Sequence, residues 1–362
     1  MSFLLSSALL VVKIGSALIA DGRTGQLHAD WLANFCADIA WIKQQGIKIV
    51  VVSSGAGALG RSHLGKPTGI LTLAEKQAAA SIGQMALMQG WQQYLGQHGL
   101  KAAQILLTPR DTEERRRHLN ARDTLFTLLA HNIIPIINEN DTVATSEIRF
   151  GDNDRLAARV AQMLGADTLV LFSDIDGLYN ADPKINPYAT LLREITELTP
   201  AIEAMAGKPQ PGYSSGGMIT KLMAARIAMA GGCRMVIARG ERKEPLRALT
   251  EASTPCTWFL PKDTPSTARK GWIAGHVKIT GRLHIDSGAA KALGQGASLL
   301  PAGLVAVDGQ IERGDVVDIY GPEGRLLARG LSNYALEDIK QLLGQQSGAI
   351  YGLLGQHGPD EI

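Results

Sequence analysis

The 362-residue sequence is poor in aromatic side chains, which make up 5% of it, and contains three cysteines. Cys36, Cys233 and Cys256 are far apart and form neither a CxxC pair nor a zinc-ligand spacing. They therefore indicate reduced, cytoplasmic thiols rather than a disulfide framework. No stretch approaches the ~20 apolar residues that a membrane-spanning helix requires, and a formal net charge of +2 does not favour a polyanion-binding surface.

Glycine is abundant, with 40 residues, and hydrophobic residues make up 45% of the chain. This composition is typical of a soluble α/β enzyme with many tight turns, and the length predicts two domains. The apolar stretch from Phe3 to Val12 has no basic segment before it and no small-residue cleavage site, and it runs directly into Lys13. We interpret it as a buried first strand rather than a signal peptide.

Strand-like apolar runs alternate with helical patterns over the first two-thirds of the chain. The predicted strands are Leu9–Lys13, Ile47–Ser53, Ala102–Leu107, Ile133–Ile137, Thr168–Phe172 and Arg234–Ala238, and the predicted helices are Ala29–Gln45, Leu73–Gln97, Arg117–Ala130, Asp154–Leu164 and Ile219–Met229. Several strands are apolar throughout, which indicates burial on both faces. The pattern predicts a mostly parallel sheet covered by helices over residues 1–255.

The pattern changes after about residue 255. Pro255, Pro261 and Pro265 lie in a short polar stretch, so residues 256–280 are interpreted as a linker. Residues 281–362 contain short strand-like runs and frequent turns, which predict a compact β-rich module.

Two lysines in glycine-containing segments are the most informative feature of the chain. Lys13 is followed by Gly15, and Lys221 follows Gly216 and Gly217. Polar blocks lie between them, at Asn138-Glu139-Asn140-Asp141 and Gly151-Asp152-Asn153-Asp154. Two cations, exposed backbone amides and a carboxylate suit the transfer of a phosphoryl group between anions, which depends on positioning and charge neutralisation.

The segment Gly55–Gly60 matches the GxGxxG pattern of dinucleotide-binding proteins. The strand ending in an acidic residue that should follow about 20 positions later is absent, because a long helical stretch occupies that region. We favour a tight loop at the end of a strand, where Ser53, Ser54 and backbone amides bind a substrate carboxylate.

Three further segments have a structural and a functional interpretation. The glycines before Lys221 fit either a nucleotide phosphate loop or a plain helix start, and the residues alone do not decide between them. The loop Ser173–Pro183 does not match a calcium-binding loop, and its polarity favours the edge of a nucleotide site. Asp152, Asn153 and Asp154 exceed what a helix cap requires, so at least one is predicted to serve a site.

These segments together resemble the amino acid kinase family across the whole chain, and the segment from about residue 281 resembles a PUA domain. The resemblance implies a three-layer αβα sandwich with ATP over the second half of the kinase domain and the acceptor over the first half. It implies ATP-dependent phosphorylation of the L-glutamate side-chain carboxylate, the first step of proline biosynthesis. The alternatives are a sibling kinase for another carboxylate, a carbamate or a nucleotide, and an RNA-binding PUA protein.

The same resemblance implies roles for individual residues. Lys13 and Lys221 flank the transferred phosphoryl group, and Asp154 orients both lysines. The acceptor is held by Ser54, Gly55, Asn138, Asp141 and Asn153. ATP is held by Lys13, Gly15, Ser173, Asp174, Ser215, Gly216, Gly217, Met218, Ile219, Thr220 and Lys221. No protein ligand for a metal is named, and Mg²⁺ is expected to arrive with ATP.

The partners expected from the resemblance are L-glutamate, ATP, proline as a feedback inhibitor and further copies of the chain in a dimer or tetramer. RNA binding by the PUA segment is not favoured, because residues 281–362 contain six basic and ten acidic side chains. The acceptor chemistry is simple, since a glutamate side chain has a pKa near ~4.3 and is ionised at neutral pH without a general base.

Overall fold

The computed structural model describes residues 3–66, 69–143, 153–207, 217–268, 279–355 and 358–362. The chain divides into two compact units, Met1–Ala268 and Arg269–Ile362. The strands of the first unit are β1 (Leu9–Ile14), β2 (Lys48–Ser53), β3 (Lys101–Leu107), β4 (Ile133–Glu139), β5 (Thr168–Ser173), β6 (Glu194–Ile195), β7 (Arg234–Arg239) and β8 (Cys256–Phe259). Its helices are α1 (Ser16–Ile19), α2 (Ala29–Gln44), α3 (Ala56–Arg61), α4 (Leu73–Gly96), α5 (Pro109–Glu113), α6 (Arg115–Ala130), α7 (Asn153–Leu164), α8 (Pro200–Ala204), α9 (Met218–Ala230) and α10 (Pro245–Ala248).

The strands form one eight-stranded sheet in the order β3-β4-β2-β1-β5-β7-β8-β6. Strand β1 pairs in parallel with β2 on one side and with β5 on the other, and the β7–β8 pair is antiparallel. The chain builds one side of the sheet first and then crosses β1 to begin the other side at β5. In open parallel sheets, ligands bind beyond the carboxyl ends of the strands at such a reversal.

Both faces of the sheet are covered. Leu10, Val12 and Ile14 of β1 belong to a core cluster on one face, and Leu9 and Val11 belong to a second cluster on the other face. The first cluster includes residues of α2 and α4, and the second includes residues of α7 and α9. This three-layer arrangement explains why the strands are apolar at nearly every position.

Helix α4 contacts α3 at two glycines with no space for a side chain. A Cβ atom on Gly83 would lie 1.8 Å from the Ala56 carbonyl oxygen, and one on Gly60 would lie 1.8 Å from the Ala79 carbonyl oxygen. Gly55 precedes α3 with a φ of 105°, a left-handed conformation that glycine adopts readily. Gly55 therefore serves a turn and Gly60 a helix contact, which agrees with a tight loop after β2, whereas carboxylate binding by this loop stays a prediction.

Gly83→Ala is expected to lower the free energy of unfolding by about 1–3 kcal/mol, because the added methyl group forces α3 and α4 apart. Urea denaturation measures this effect. Gly96→Ala is the matched control on the same helix, since a Cβ at Gly96 meets no atom within 4 Å. Equal stability of the two variants would contradict the close packing of α3 on α4.

The second unit contains strands β9 (Gly281–Ile285), β10 (Leu304–Gly309), β11 (Val316–Tyr320) and β12 (Leu326–Leu331) and helices α11 (Ser287–Gly294), α12 (Leu336–Leu342) and α13 (Ile350–Leu354). The strands form a separate sheet in the order β10-β9-β11-β12 around an apolar core of its own. The prediction of a mostly parallel α/β unit followed by a small β-rich unit is confirmed.

One segment differs from its sequence interpretation. Cys256–Phe259, assigned above to the linker 256–280, forms β8 of the eight-stranded sheet, with all four residues buried. The segment is a strand because it pairs with β7 and β6. Four residues are too few to show a strand pattern in the sequence. None of the helices that the structure describes is both long enough and apolar enough to cross a membrane.

Candidate active site

Two lysines from opposite ends of the first unit meet at one carboxylate. Lys13 Nζ lies 2.7 Å from Asp154 Oδ1, and Lys221 Nζ lies 3.2 Å from Asp154 Oδ2. The Thr220 hydroxyl donates to Asp154 Oδ2 at 3.0 Å. Lys13, Asp154 and Lys221 are only 8%, 2% and 4% exposed. The structure thus brings the three predicted catalytic residues into one buried cluster.

The fold explains this convergence. Lys13 follows Val11 by two positions on β1, so its side chain emerges on the same face of the sheet, which α7 and α9 cover. Asp154 lies in the first turn of α7, and Lys221 lies in the first turn of α9. A carboxylate is stabilised near the amino end of a helix. Because the side chains of Asp154 and Lys221 are in contact with each other and Asp154 contacts Lys13, both helices begin close to the carboxyl end of β1.

The charges of the cluster are mutually dependent. Burial alone raises the pKa of Asp154, but the charges of Lys13 and Lys221 outweigh it and lower the pKa to about 2. The carboxylate is therefore ionised throughout the neutral range. Three groups carry two positive charges and one negative charge, which leaves a net positive charge for an anionic ligand.

A second polar cluster adjoins the first through α7. Asn153, the neighbour of Asp154, donates through Nδ2 to Ser54 Oγ at 2.7 Å and to Asn138 Oδ1 at 3.0 Å. Ser54 follows β2, and Asn138 lies near the end of β4. Three of the residues predicted to hold the acceptor are therefore in direct contact beside the lysine cluster.

Asp141 lies two residues beyond β4, in a short helical turn. Its neighbour Thr142 lies within hydrogen-bond distance of Ser81 on α4, with 3.2 Å between the hydroxyl oxygens. Burial raises the pKa of Asp141 to about 6. This carboxylate would therefore gain from a nearby cation, as an ammonium group of a ligand would supply.

The residues predicted to hold the nucleotide lie at the ends of β1 and β5 and at the start of α9. Gly15 follows β1, and Gly217 precedes α9. Ser173 ends β5 and donates to Asp174 Oδ1 at 2.9 Å. Partial burial raises the pKa of Asp174, but the hydrogen bond from Ser173 and the charge of Lys221 help to lower it overall.

The remaining residues predicted to hold the nucleotide lie at or before the start of α9. Met218 and Ile219 are half-buried in the first turn of α9. Ser215 and Gly216 lie outside the described residues, as do Gly151 and Asp152 of the polar block before α7. Within the part of the chain that the structure describes, no group of three or more His, Cys, Asp and Glu side chains is arranged to hold a metal ion.

Comparison with known proteins identifies the family of this chain. Residues 8–239 match the model of the amino acid kinase family. The chain belongs to the amino acid kinase family. Residues 281–351 match the PUA domain, so this amino acid kinase combines the two domains that its sequence resembles.

Relatives of this amino acid kinase match it over nearly their full lengths. A protein of Paramagnetospirillum magneticum named Glutamate 5-kinase is 55% identical over 362 residues, covering 100% of this chain and 97% of that protein. A protein of Rhizobium etli with the same name is 56% identical over 349 residues, covering 96% of this chain and 89% of that protein. The crystal structure of UMP kinase from Ureaplasma parvum is 15% identical with a TM-score of 0.49, covering 70% of this chain and 98% of that one.

Sequence reasoning missed one residue of the polar cluster of this amino acid kinase. Gln84 of α4 accepts a hydrogen bond from Asn138 Nδ2 at 2.8 Å and is 8% exposed. The available signal was its position among the buried residues Ala80, Leu87 and Trp91 of α4. A glutamine in an otherwise apolar helical stripe indicates a specific hydrogen-bond partner.

Proposed function

We propose that this amino acid kinase transfers the γ-phosphoryl group of ATP to the side-chain carboxylate of L-glutamate, forming L-glutamyl 5-phosphate for proline biosynthesis. The observation that carries the proposal is the meeting of Lys13 and Lys221 at Asp154, directly beside the Asn153–Ser54–Asn138 cluster. Family membership and the two full-length relatives support it.

The reaction brings one anion against another, so its main obstacle is electrostatic. A carboxylate oxygen of glutamate attacks the γ-phosphorus, the bond to the bridging oxygen breaks, and ADP leaves. Lys13 and Lys221 stabilise the charge on the transferring group, and Asp154 holds both ammonium groups in place. The acceptor is already ionised, so no residue needs to remove a proton.

We assign ATP to the edge formed by Gly15, Ser173, Asp174 and the start of α9. Backbone amides at the amino end of this 13-residue helix favour phosphate oxygens, and Lys221 projects from its first turn. Magnesium would be held mainly by the phosphate oxygens of ATP. Asp154 is already engaged by two lysines, which agrees with that assignment.

We assign glutamate to the cluster of Ser54, Gly55, Asn138, Asp141 and Asn153. Hydroxyl, amide and backbone N–H groups suit its carboxylates, and the carboxylate of Asp141 suits its ammonium group. Asn153 and Asp154 are adjacent in α7, which supports the proposal that one rigid element serves both acceptor binding and phosphoryl stabilisation.

Trapping with hydroxylamine tests the proposal, because an acyl phosphate yields a hydroxamate. Glutamate is compared with aspartate, N-acetylglutamate and UMP as acceptors, and ADP release is followed in parallel. We expect hydroxamate formation with glutamate and little with aspartate or N-acetylglutamate. A higher turnover with any of the other three acceptors would assign the chain to a sibling activity.

The ionisation of Asp141 predicts how acceptor binding depends on pH. If the carboxylate binds the ammonium group of glutamate, kcat/KM for glutamate falls as pH decreases through about 6, because protonation removes the negative charge. The measurement is kcat/KM for glutamate between pH 5 and about 8. Asp141→Asn should lower kcat/KM above pH 6 and remove this step, whereas an unchanged step would assign it to another group.

The remaining partners are proposals of the same kind. L-proline is proposed to inhibit by overlapping the glutamate site, which predicts relief of inhibition at saturating glutamate. We propose a homo-oligomer, dimer or tetramer, and a cytoplasmic location, the latter supported by three unpaired, buried cysteines. The PUA domain is proposed to have a structural or regulatory role rather than to bind RNA, given its excess of acidic side chains.

A further inference from the structure

Gln84 ends a chain of side-chain hydrogen bonds that begins at Ser54. Asn153 Nδ2 donates to Ser54 Oγ and to Asn138 Oδ1, and Asn138 Nδ2 donates to Gln84 Oε1. The chain of hydrogen bonds links the loop after β2 with α7, β4 and α4, and Gln84, Asn138 and Asn153 are each more than nine-tenths buried. It therefore joins residues from four separate segments around the proposed acceptor site.

The chain has a defined direction. Asn138 Oδ1 accepts from Asn153 Nδ2 and also from the backbone N–H of Glu139 at 2.9 Å, so its amide nitrogen must point the other way. Gln84 Oε1 supplies the acceptor that this nitrogen requires. If Asn138 turned over, its NH₂ group would face both the NH₂ group of Asn153 and the Glu139 N–H.

The direction also determines the role of the Ser54 hydroxyl. Because Ser54 Oγ accepts from Asn153 at 2.7 Å, its own proton is available for a different acceptor. Ser54 is the half-buried member of the chain, whereas the other three members are buried. Its proton is thus the group that a bound carboxylate can reach.

We propose that Gln84 is a positioning residue of the acceptor site, which fixes the amides of Asn138 and Asn153 so that the Ser54 hydroxyl donates to a carboxylate of the amino acid. The inference rests on the proposed function, because it takes the acceptor to be a carboxylate. Gln84, in the middle of α4, would thus affect acceptor binding without touching the acceptor itself.

Three substitutions test the proposal. Gln84→Met keeps the length of the side chain but removes the acceptor for Asn138, and it is expected to raise KM for glutamate about tenfold or more, as for loss of a hydrogen bond to a charged group. The KM for ATP and kcat should change by less than about threefold, because the proposed role of Gln84 is confined to binding of the acceptor. Gln84→Leu removes the same acceptor with a side chain of similar volume and should raise KM for glutamate to a similar extent. Gln92→Met, at an exposed position of α4, is the matched control and should behave as the wild type.

A double-mutant cycle separates this role from a general effect on folding. If Gln84 acts through Ser54, the Gln84→Met, Ser54→Ala double variant has nearly the same KM for glutamate as Ser54→Ala alone. Effects on KM that multiply, or a Gln84→Met variant with an unchanged KM, would overturn the proposal. If Gln84→Met does not fold, Gln84→Leu takes its place in the cycle, because it removes the same acceptor and the same two outcomes decide.

The outcome is distinguishable from failure of the proposed function. Wild-type protein that forms no hydroxamate with glutamate refutes the proposed substrate, whatever the variants do. Wild-type activity with glutamate, combined with multiplying effects in the cycle, refutes only the role of Gln84.

Discussion

Replacing Lys221 by alanine is expected to lower kcat about 10²–10³-fold, the effect typical of removing one donor that stabilises charge in a transition state. The ammonium group lies 3.2 Å from Asp154 Oδ2 in a buried cluster, where little water can replace it. The KM values for ATP and glutamate should change far less, because the transferring phosphoryl group requires this charge most at the transition state. Lys13→Ala is expected to behave in the same way, since Lys13 contacts the other oxygen of the same carboxylate.

Steady-state kinetics with varied ATP and glutamate measure both effects. Lys101→Ala, at an exposed position at the start of β3, controls for removing a lysine elsewhere in the same sheet. A Lys221 or Lys13 variant with near-normal kcat would remove that residue from the catalytic role.

Asp154→Ala is expected to lower the free energy of unfolding by about 3–5 kcal/mol at neutral pH, because it leaves two buried ammonium groups without their carboxylate. The lowered pKa of Asp154 gives the sign of the pH dependence. Its stabilising contribution is present above the ordinary pKa of 3.8 and is lost as pH falls towards about 2. The difference in stability between wild type and variant should therefore shrink in acid.

Urea denaturation at pH 7 and at acidic pH measures this difference. Asp263→Ala removes an exposed carboxylate from the same unit and should leave stability nearly unchanged. Asp154→Ala should also lose activity, since both lysines lose their common anchor. An Asp154→Ala variant as stable as the wild type at pH 7 would show that the buried lysines do not depend on this carboxylate.

The elements that position the site follow from local sequence patterns. The runs at β1, β2, β4 and β5 are apolar at most positions because helices cover both faces, and this pattern identified them as buried strands. Lys13 interrupts such a run two positions before Gly15 and one position before the end of β1, which indicates a purpose other than packing.

Other features depend on contacts between distant segments and leave weak local signals. The need for glycine at positions 60 and 83 arises only from the close packing of α3 on α4, which the local sequence does not reveal. The four residues of β8 are too few to show a period, and their role comes from pairing with β7. Glutamine is common in helices, so the role of Gln84 becomes visible only from its hydrogen bond with Asn138.

The affinity for a transition-state mimic tests the central claim most directly, namely that Lys13 and Lys221 act together on the transferring phosphoryl group. Binding of MgADP with aluminium fluoride in the presence of glutamate is compared with binding of a non-hydrolysable MgATP analogue, in the wild type, in Lys13→Ala and in Lys221→Ala. The account predicts that each variant loses affinity for the mimic by a factor close to its loss of kcat, while affinity for the ATP analogue falls by less than about tenfold. Equal losses for both ligands in either variant would contradict it, because that lysine would then serve nucleotide binding alone.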